Sequence, residues 1–533
     1  MNAILDLDIT PIHHESRNCK EDTIVTVASW WKRDYELMFL ESWGFTFDLS
    51  QWNNSGKLYQ SITSGIGDML TLLKQVHGIE IIVMGNKSLQ DTVAIVESEL
   101  KESRPVAFDL DSYYCQWSHG YQKYHSIHTG LIVGMDPENH CYTLVDCFYE
   151  KKNVTIPIEH CFKHEYRGIA LFRKLPDASE GVEWKQLIMQ ALSRTLFQNQ
   201  ETNSFDMMRS FAEVLEHLPT VEVEFNGSKE VWMSPLLTVL YSISNGRKHF
   251  STALQYVKTK YQVDDLAPLI NDLAYAAAQW STILSMITKA YYQSSDSQLI
   301  KRAASKIRMV AELEETIAVK LRSICEERPQ NNQVVEKAEH GKTATEHRKM
   351  KYMDISDYCN NKGFSQLVSP ACRADLTLMG EYFLIDQLPD QTIWDVEGME
   401  FSLSAFGENI NDNISCAGQD MKVPEGYYSS IMLLGCSECG SYAERIEILY
   451  EDNEVSYIPI QFTDWYLEPI FGETTAWVGK GAQRKEGEVK ILEFPVRLLV
   501  QKYELNQRKK ILRIKLPDCP NIHIFAMTLM AEE

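Results

Sequence analysis

Three residues far apart in the chain have the types that nucleophilic cysteine chemistry requires: Cys19, His128 and Asp146. A cysteine nucleophile needs a base to take its proton and a third group to orient that base, brought together in space rather than in sequence. His128 opens the run HTGLIVGMD, and Asp146 stands at the end of the run YTLVDC, 18 residues later. Between them lies the turn Asp136-Pro-Glu-Asn139. An antiparallel hairpin of that length returns the end of its second strand to the start of its first, so the imidazole and the carboxylate are expected at one sheet edge as base and orienter. A donor for the developing oxyanion is also needed. His13 and His14, six and five residues before Cys19, are the candidates, with the backbone amide of Cys19 as a second donor. His125 is the alternative base; His128 is preferred because it adjoins the strand.

The elements that must carry these groups follow from apolar period and turn chemistry. Ile24, Val27, Ala28, Trp31, Tyr35 and Met38 recur at a period near 3.6 and predict an amphipathic helix starting at Cys19, with Asn18 as N-cap. A thiol at a helix N-terminus gains from the free amides and the macrodipole, while Glu21 and Asp22 in the first turn oppose ionisation. Taken alone, this stretch also fits a buried, inert cysteine. Further on, helices are expected over Asp68–Val76 and Leu89–Glu102, and strands over Ile79–Val83, Pro105–Asp111, the two runs of the hairpin and Gly168–Lys174. Residues 1–178 therefore predict an α+β domain whose second half is an antiparallel sheet. Residues 179–325 carry helical stripes, among them Leu266, Leu269, Leu273, Trp280 and Ile300, Ile307, Val310, Ile317, and predict a helical domain. Polar text over 326–353 reads as a linker. Short strands between Gly, Asn, Asp and Pro turns over 354–533 predict a β-sandwich.

Composition narrows the function classes. The 533 residues suggest about three domains. No run of about 18 apolar residues predicts a membrane span, and the N-terminus has no basic n-region or apolar h-region. Twelve cysteines scattered over so long a chain fit reduced thiols in the cytoplasm better than a disulfide framework. A formal charge of −22 argues against nucleic acid as a partner; it serves solubility, and would also draw in a cationic small molecule. The pair Cys436 and Cys439 lacks a second CxxC or a close histidine pair, so no metal is expected. Gly65-Ile-Gly67 is too short for a phosphate loop and reads as a turn.

The order Cys, His ahead of a Gly-Met-Asp turn, then Asp looks like that of papain-like enzymes, in particular the bacteriocin-processing peptidase domains of ABC transporters. More specifically, HHESRNCKEDTIVTVASWWKRDYELMFLESWGFTF together with HTGLIVGMD and YTLVDC resembles the N-terminal domain family of butirosin biosynthesis protein H, over about residues 10–175. The resemblance implies a papain-like fold with Cys19 as nucleophile, His128 as base and Asp146 as orienter. It implies transfer of an acyl or peptidyl group from a carrier-protein phosphopantetheine thioester to an amine, with no cofactor of the enzyme's own. The partners implied are an acyl or peptidyl carrier protein and an amine-bearing acceptor. Where papain-like enzymes carry a glutamine ahead of the cysteine, this chain has His13. The C-terminal region, including KVPEGYYSSIMLLGC and LRIKLPDCPNIHIFAMTL, is similar to jelly-roll β-sandwich modules appended to bacterial glycoside hydrolases. There Trp465, Trp477, Tyr427 and Tyr428 would either stack on a sugar or fill the core. The sequence thus points to a cysteine acyltransferase of natural-product biosynthesis (nonribosomal peptide, polyketide or aminoglycoside). The alternatives are a cysteine peptidase or amidase with the same triad, and a non-catalytic scaffold that binds a glycan or a partner.

Overall fold

A computed structural model describes residues 5–531 apart from 66, 86, 164–167, 177–180, 198–201, 229, 294–295, 327–348, 368–372, 386–387, 389–391, 404–409, 486 and 507–508. The chain is α+β, with a C-terminal β-sandwich. Its N-terminal part is built on a seven-stranded sheet. Six strands run in the order Ile79–Met84, Ile169–Lys174, Val106–Asp111, Ile127–Asp136, Cys141–Asp146 and Lys151–Pro157, all antiparallel to their neighbours, and Leu5–Asp6 adds to the Ile127–Asp136 strand. The expected hairpin forms between Ile127–Asp136 and Cys141–Asp146, with Leu131 opposite Val145 and Asp136 opposite Cys141. The strand Lys151–Pro157 has no counterpart in the sequence reading, because it is a mostly exposed edge and carries little alternation of apolar and polar residues.

The helix that begins at Cys19 runs to Trp30. Asn18 accepts from the amides of Lys20 and Glu21 at 3.0 and 3.1 Å, and the Glu21 carboxylate accepts from the Asn18 amide at 2.9 Å, a complete capping box. Two expectations are corrected here. The apolar stripe continues to Met38 in the sequence, but Lys32 takes a left-handed φ of 56° and ends the helix; Tyr35 precedes a separate 3-10 turn over Glu36–Glu41, which holds Met38. Nor is the helix amphipathic: Asp22 through Ala28 are all buried, Val25 and Thr26 included, because the sheet covers one side and the helical region the other.

Helices span Trp184–Thr195, Ser204–Glu216, Pro235–Tyr261, Ala267–Tyr292 and Ser297–Glu326. One hydrophobic core runs without a break from Ile9 and Val27 through Trp43 and Phe45 to Trp280 and Leu321. At its centre the buried Arg247 and Glu314 form a two-pronged pair, with Nε–Oε1 and Nη2–Oε2 both 2.8 Å. The indole N–H groups of Trp43 and Trp280 donate to the same carboxylate at 2.7 and 3.0 Å, and Arg247 donates to the carbonyl of Gly44 at 2.7 Å. Trp43 and Gly44 of the N-terminal part and Trp280 of the helical part thus share in satisfying one buried charge pair.

The expected linker over 326–353 falls mostly on 327–348, outside the described residues. Its end is corrected: Lys349–Tyr352 is a strand on the edge of the sandwich, paired with Ile522–Ala531. The sandwich has an eight-stranded sheet facing a four-stranded one. Ile431, Leu433, Ile446, Ile460 and Ile524 fill the space between them. The sugar-stacking alternative is corrected for three of its four aromatics. Trp465, Trp477 and Tyr428 are buried, the two indoles packed edge-on against Phe383; Tyr427 is exposed. The sandwich meets the helix Ala267–Tyr292 through a polar seam. Thr282 and Gln279 both donate to Glu444, at 2.8 and 2.7 Å, Lys289 donates to the carbonyl of Pro520 at 2.8 Å and pairs with Glu438, and from the next helix, Ser297–Glu326, Arg302 pairs with Asp518.

Candidate active site

The hairpin and the Cys19 helix bring the three distant residues together. His128 sits near the start of its strand and Asp146 at the end of the next, and Nε2 of His128 lies 2.6 Å from Oδ2 of Asp146. Both side chains are buried. Asp146 is further held by the indole N–H of Trp117 at 2.6 Å and by the backbone amide of Tyr149 at 3.0 Å. With Nε2 committed to Asp146, the nitrogen left for the thiol is Nδ1. Cys19, half-buried at the first position of its helix, lies close enough to His128 and Thr129 for both to act on its thiol.

The electrostatics favour an ion pair. Burial pushes the Cys19 thiol up, but the hydrogen bond and charge of His128, with help from Thr129, leave it below its ordinary value. Burial pulls His128 down, but the Asp146 and Cys19 hydrogen bonds dominate and raise it to about 9. Burial also raises Asp146, and its hydrogen bond to His128 more than offsets this, so the carboxylate stays ionised. A lowered thiol beside a raised imidazole is the arrangement of a thiolate–imidazolium pair, which can attack an electrophilic carbonyl and return a proton to the leaving group. By contrast, the buried Cys115 and Cys147 thiols are both pushed up to about 12, chiefly by burial.

The other histidines go to different places. His125 turns to Asp111, with Nδ1 2.7 Å from Oδ2, and stacks on Tyr113 at 4.3 Å; its side chain is 63% exposed. The ring of His14 stays within its own turn, where Nδ1 accepts from the Ser16 amide at 3.2 Å, while its backbone amide donates to Asp22 Oδ1 at 3.3 Å. His13 lies closer to the site. Its Nδ1 is 2.5 Å from Oδ2 of the buried Asp22, whose other oxygen accepts from Arg17 Nε at 2.7 Å. The His13 ring stands edge-on to Phe148 at 5.0 Å, and Phe148 stands 6.1 Å from His128. While Nδ1 stays on Asp22, Nε2 of His13 donates only when the ring is an imidazolium. Sequence reasoning missed Trp117, Thr129, Asp22 and the Phe148–Tyr149 pair. Thr129 was within reach, since it follows His128 directly; nothing in the sequence ties Trp117 to Asp146.

A cavity of about 490 Å³ opens beside the start of the Cys19 helix, lined by Asn18 and Glu21 and by Glu41, Tyr241, Asn245 and His249. Burial raises Glu21 to about 6 and drives His249 down to about 4, so His249 brings no charge at neutral pH. Oδ1 of Asn245 is a buried acceptor with no partner among the described residues. Glu41 is already paired with Arg194 at 2.7 Å and accepts from the Asp68 amide at 2.9 Å, which leaves the Glu21 carboxyl and the spare carbonyl of Asn245, beside a neutral imidazole, to suit a hydrogen-bond donor or a cation.

Among the described residues no three of His, Cys, Asp and Glu come together as metal ligands, and no helix is long and apolar enough to cross a membrane. Residues 354–533 match the family model of the AziU2-like beta-sandwich domain. No curated protein matches the chain.

Proposed function

We propose that this protein is a cysteine-dependent acyltransferase with a papain-like N-terminal fold, working in the cytoplasm in the assembly of a natural product. The donor is an acyl or peptidyl group held as a thioester on the phosphopantetheine of a carrier protein, and the acceptor is an amine. The observation that carries this reading is the contact of Cys19 with His128, itself 2.6 Å from Asp146, with the thiol lowered and the imidazole raised. In the first step the Cys19 thiolate attacks the thioester carbonyl. The new C–S bond forms, the donor's C–S bond breaks, and the departing thiolate takes a proton from the His128 imidazolium. In the second step neutral His128 receives a proton from the attacking amine, the amide bond forms, and Cys19 leaves as thiolate. The cavity with Glu21 and the Asn245 carbonyl, unpartnered among the described residues, supports an amine rather than water as the second nucleophile. The AziU2-like sandwich supports the natural-product setting.

The test is a thioester donor offered with and without amine acceptors, read by mass spectrometry. Amide product that requires Cys19 is the expected result. Hydrolysis of peptides without any acyl transfer would replace this reading by a cysteine peptidase, and product formation unchanged by Cys19→Ala would remove the cysteine from the chemistry.

A further inference from the structure

A second cavity, of about 210 Å³, lies on the other side of the Cys19 helix, between that helix and the sheet. Its walls are chemically divided. Lys20, Thr23, Asp109 and Thr129 lie toward the thiol: Lys20 follows Cys19 in the chain, Thr129 follows His128, and Thr23 donates to the Cys19 carbonyl at 2.7 Å. The Asp109 carboxylate is occupied there, accepting from Thr129 Oγ1 at 2.9 Å with Lys20 Nζ at 3.6 Å. Away from the thiol the lining is apolar, from Ile24, Met69, Ile81, Val83, Ala170 and Phe172. Its floor is a row of small side chains, because Ala170 pairs with Val83 on one neighbouring strand and with Ala107 on the other.

From this cavity we infer that the acyl group carried on Cys19 is short, uncharged and apolar, and is housed between the Cys19 helix and the sheet. The inference rests on the acyltransferase reading and adds the donor's chemical class. Of the two arms of a thioester, the pantetheine arm carries amides that an apolar pocket would leave unpaired at a cost, whereas a hydrocarbon acyl arm gains from burial there. The size sets the length: 210 Å³ falls below the about 300–1,000 Å³ of sites for drug-sized ligands. A carboxylate on the acyl group would be desolvated against Ile81 and Phe172, where the described residues of the lining offer no cation.

The test reads acylation of Cys19 by intact mass, which needs neither the acceptor nor the carrier protein. N-acetylcysteamine thioesters of acetyl, butyryl, isovaleryl, benzoyl, dodecanoyl and succinyl groups serve as probes. Each methylene from acetyl to butyryl should raise the acylation rate by about fourfold. Succinyl should fall at least tenfold below butyryl, and dodecanoyl should gain nothing over butyryl. Ala170→Phe, which fills the floor, should slow benzoyl and isovaleryl at least tenfold and acetyl by a smaller factor. Val83→Asp, at a position already 67% exposed, should slow butyryl without loss of fold. The iodoacetamide alkylation rate of Cys19 checks that each variant keeps its thiol. Acylation with succinyl as fast as butyryl, or indifference of benzoyl to Ala170→Phe in a protein that still alkylates normally, overturns the inference alone. No acylation of Cys19 by any thioester overturns the acyltransferase reading and the inference with it.

Discussion

At the scale of single residues, the thiol and the imidazole set the pH behaviour. On the proposed reading the working form has Cys19 deprotonated and His128 protonated. The acylation rate should therefore rise as the lowered thiol ionises and fall as His128 loses its proton near pH 9. Asp146 holds that falling limb up through its hydrogen bond and charge, so Asp146→Asn should move the limb to lower pH and reduce kcat by about 10²–10⁴-fold; a pH–rate profile of both proteins checks the sign. His128→Ala should leave the effect of burial on the thiol largely unopposed, push it upward and cut iodoacetamide alkylation at pH 7 roughly tenfold or more, while His125→Ala, which loosens only Asp111, leaves it unchanged. If His13 holds the oxyanion, His13→Ala should cost about 10²–10³-fold in kcat without touching the alkylation rate. The identities and order of Cys19, His128 and Asp146 were readable in the sequence because a hairpin fixes which residues meet. The company of Trp117 and the diversion of His125 to Asp111 were not, since both depend on a loop whose path no periodicity encodes.

At the scale of elements, the start of the Cys19 helix was legible and its end was not. Asn18 and Glu21 carry a side-chain signature of the capping box, three residues apart. The stop at Trp30 comes from the left-handed Lys32, which no residue type announces. Asn18→Ala should cost about 1 kcal/mol of stability in a denaturant titration. It also frees the Lys20 and Glu21 amides at the end of the helix that bears the thiol, so the pH dependence of alkylation should be measured in the same variant. The edge strand Lys151–Pro157 was hidden because solvent on most of its residues removes the need for alternation.

At the scale of the whole molecule, composition suggested separate domains for 1–178 and 179–325, but the core passes through both. Contacts such as that of Trp43 with Glu314, 271 positions apart, lie beyond the range of any local pattern. Glu314→Ala would leave Arg247 charged and unpaired in the interior, at a cost of about 3–5 kcal/mol; urea unfolding followed by circular dichroism measures it. For the same reason residues 1–178 made alone should give no cooperative unfolding transition, whereas residues 1–326 should give one. The face that 1–326 would expose toward the missing sandwich carries Gln279, Thr282, Ser285, Lys289 and Lys306, and polar residues of this kind tolerate water.

The two cavities flanking the start of the Cys19 helix have a kinetic consequence. An enzyme that loads and unloads one pocket in turn is throttled by excess acceptor, which occupies the place the donor needs. Here Met69 borders both chambers, yet each has its own walls. On the proposed reading, raising the amine concentration should bring the turnover rate to a plateau and hold it there, with no downturn at the high end.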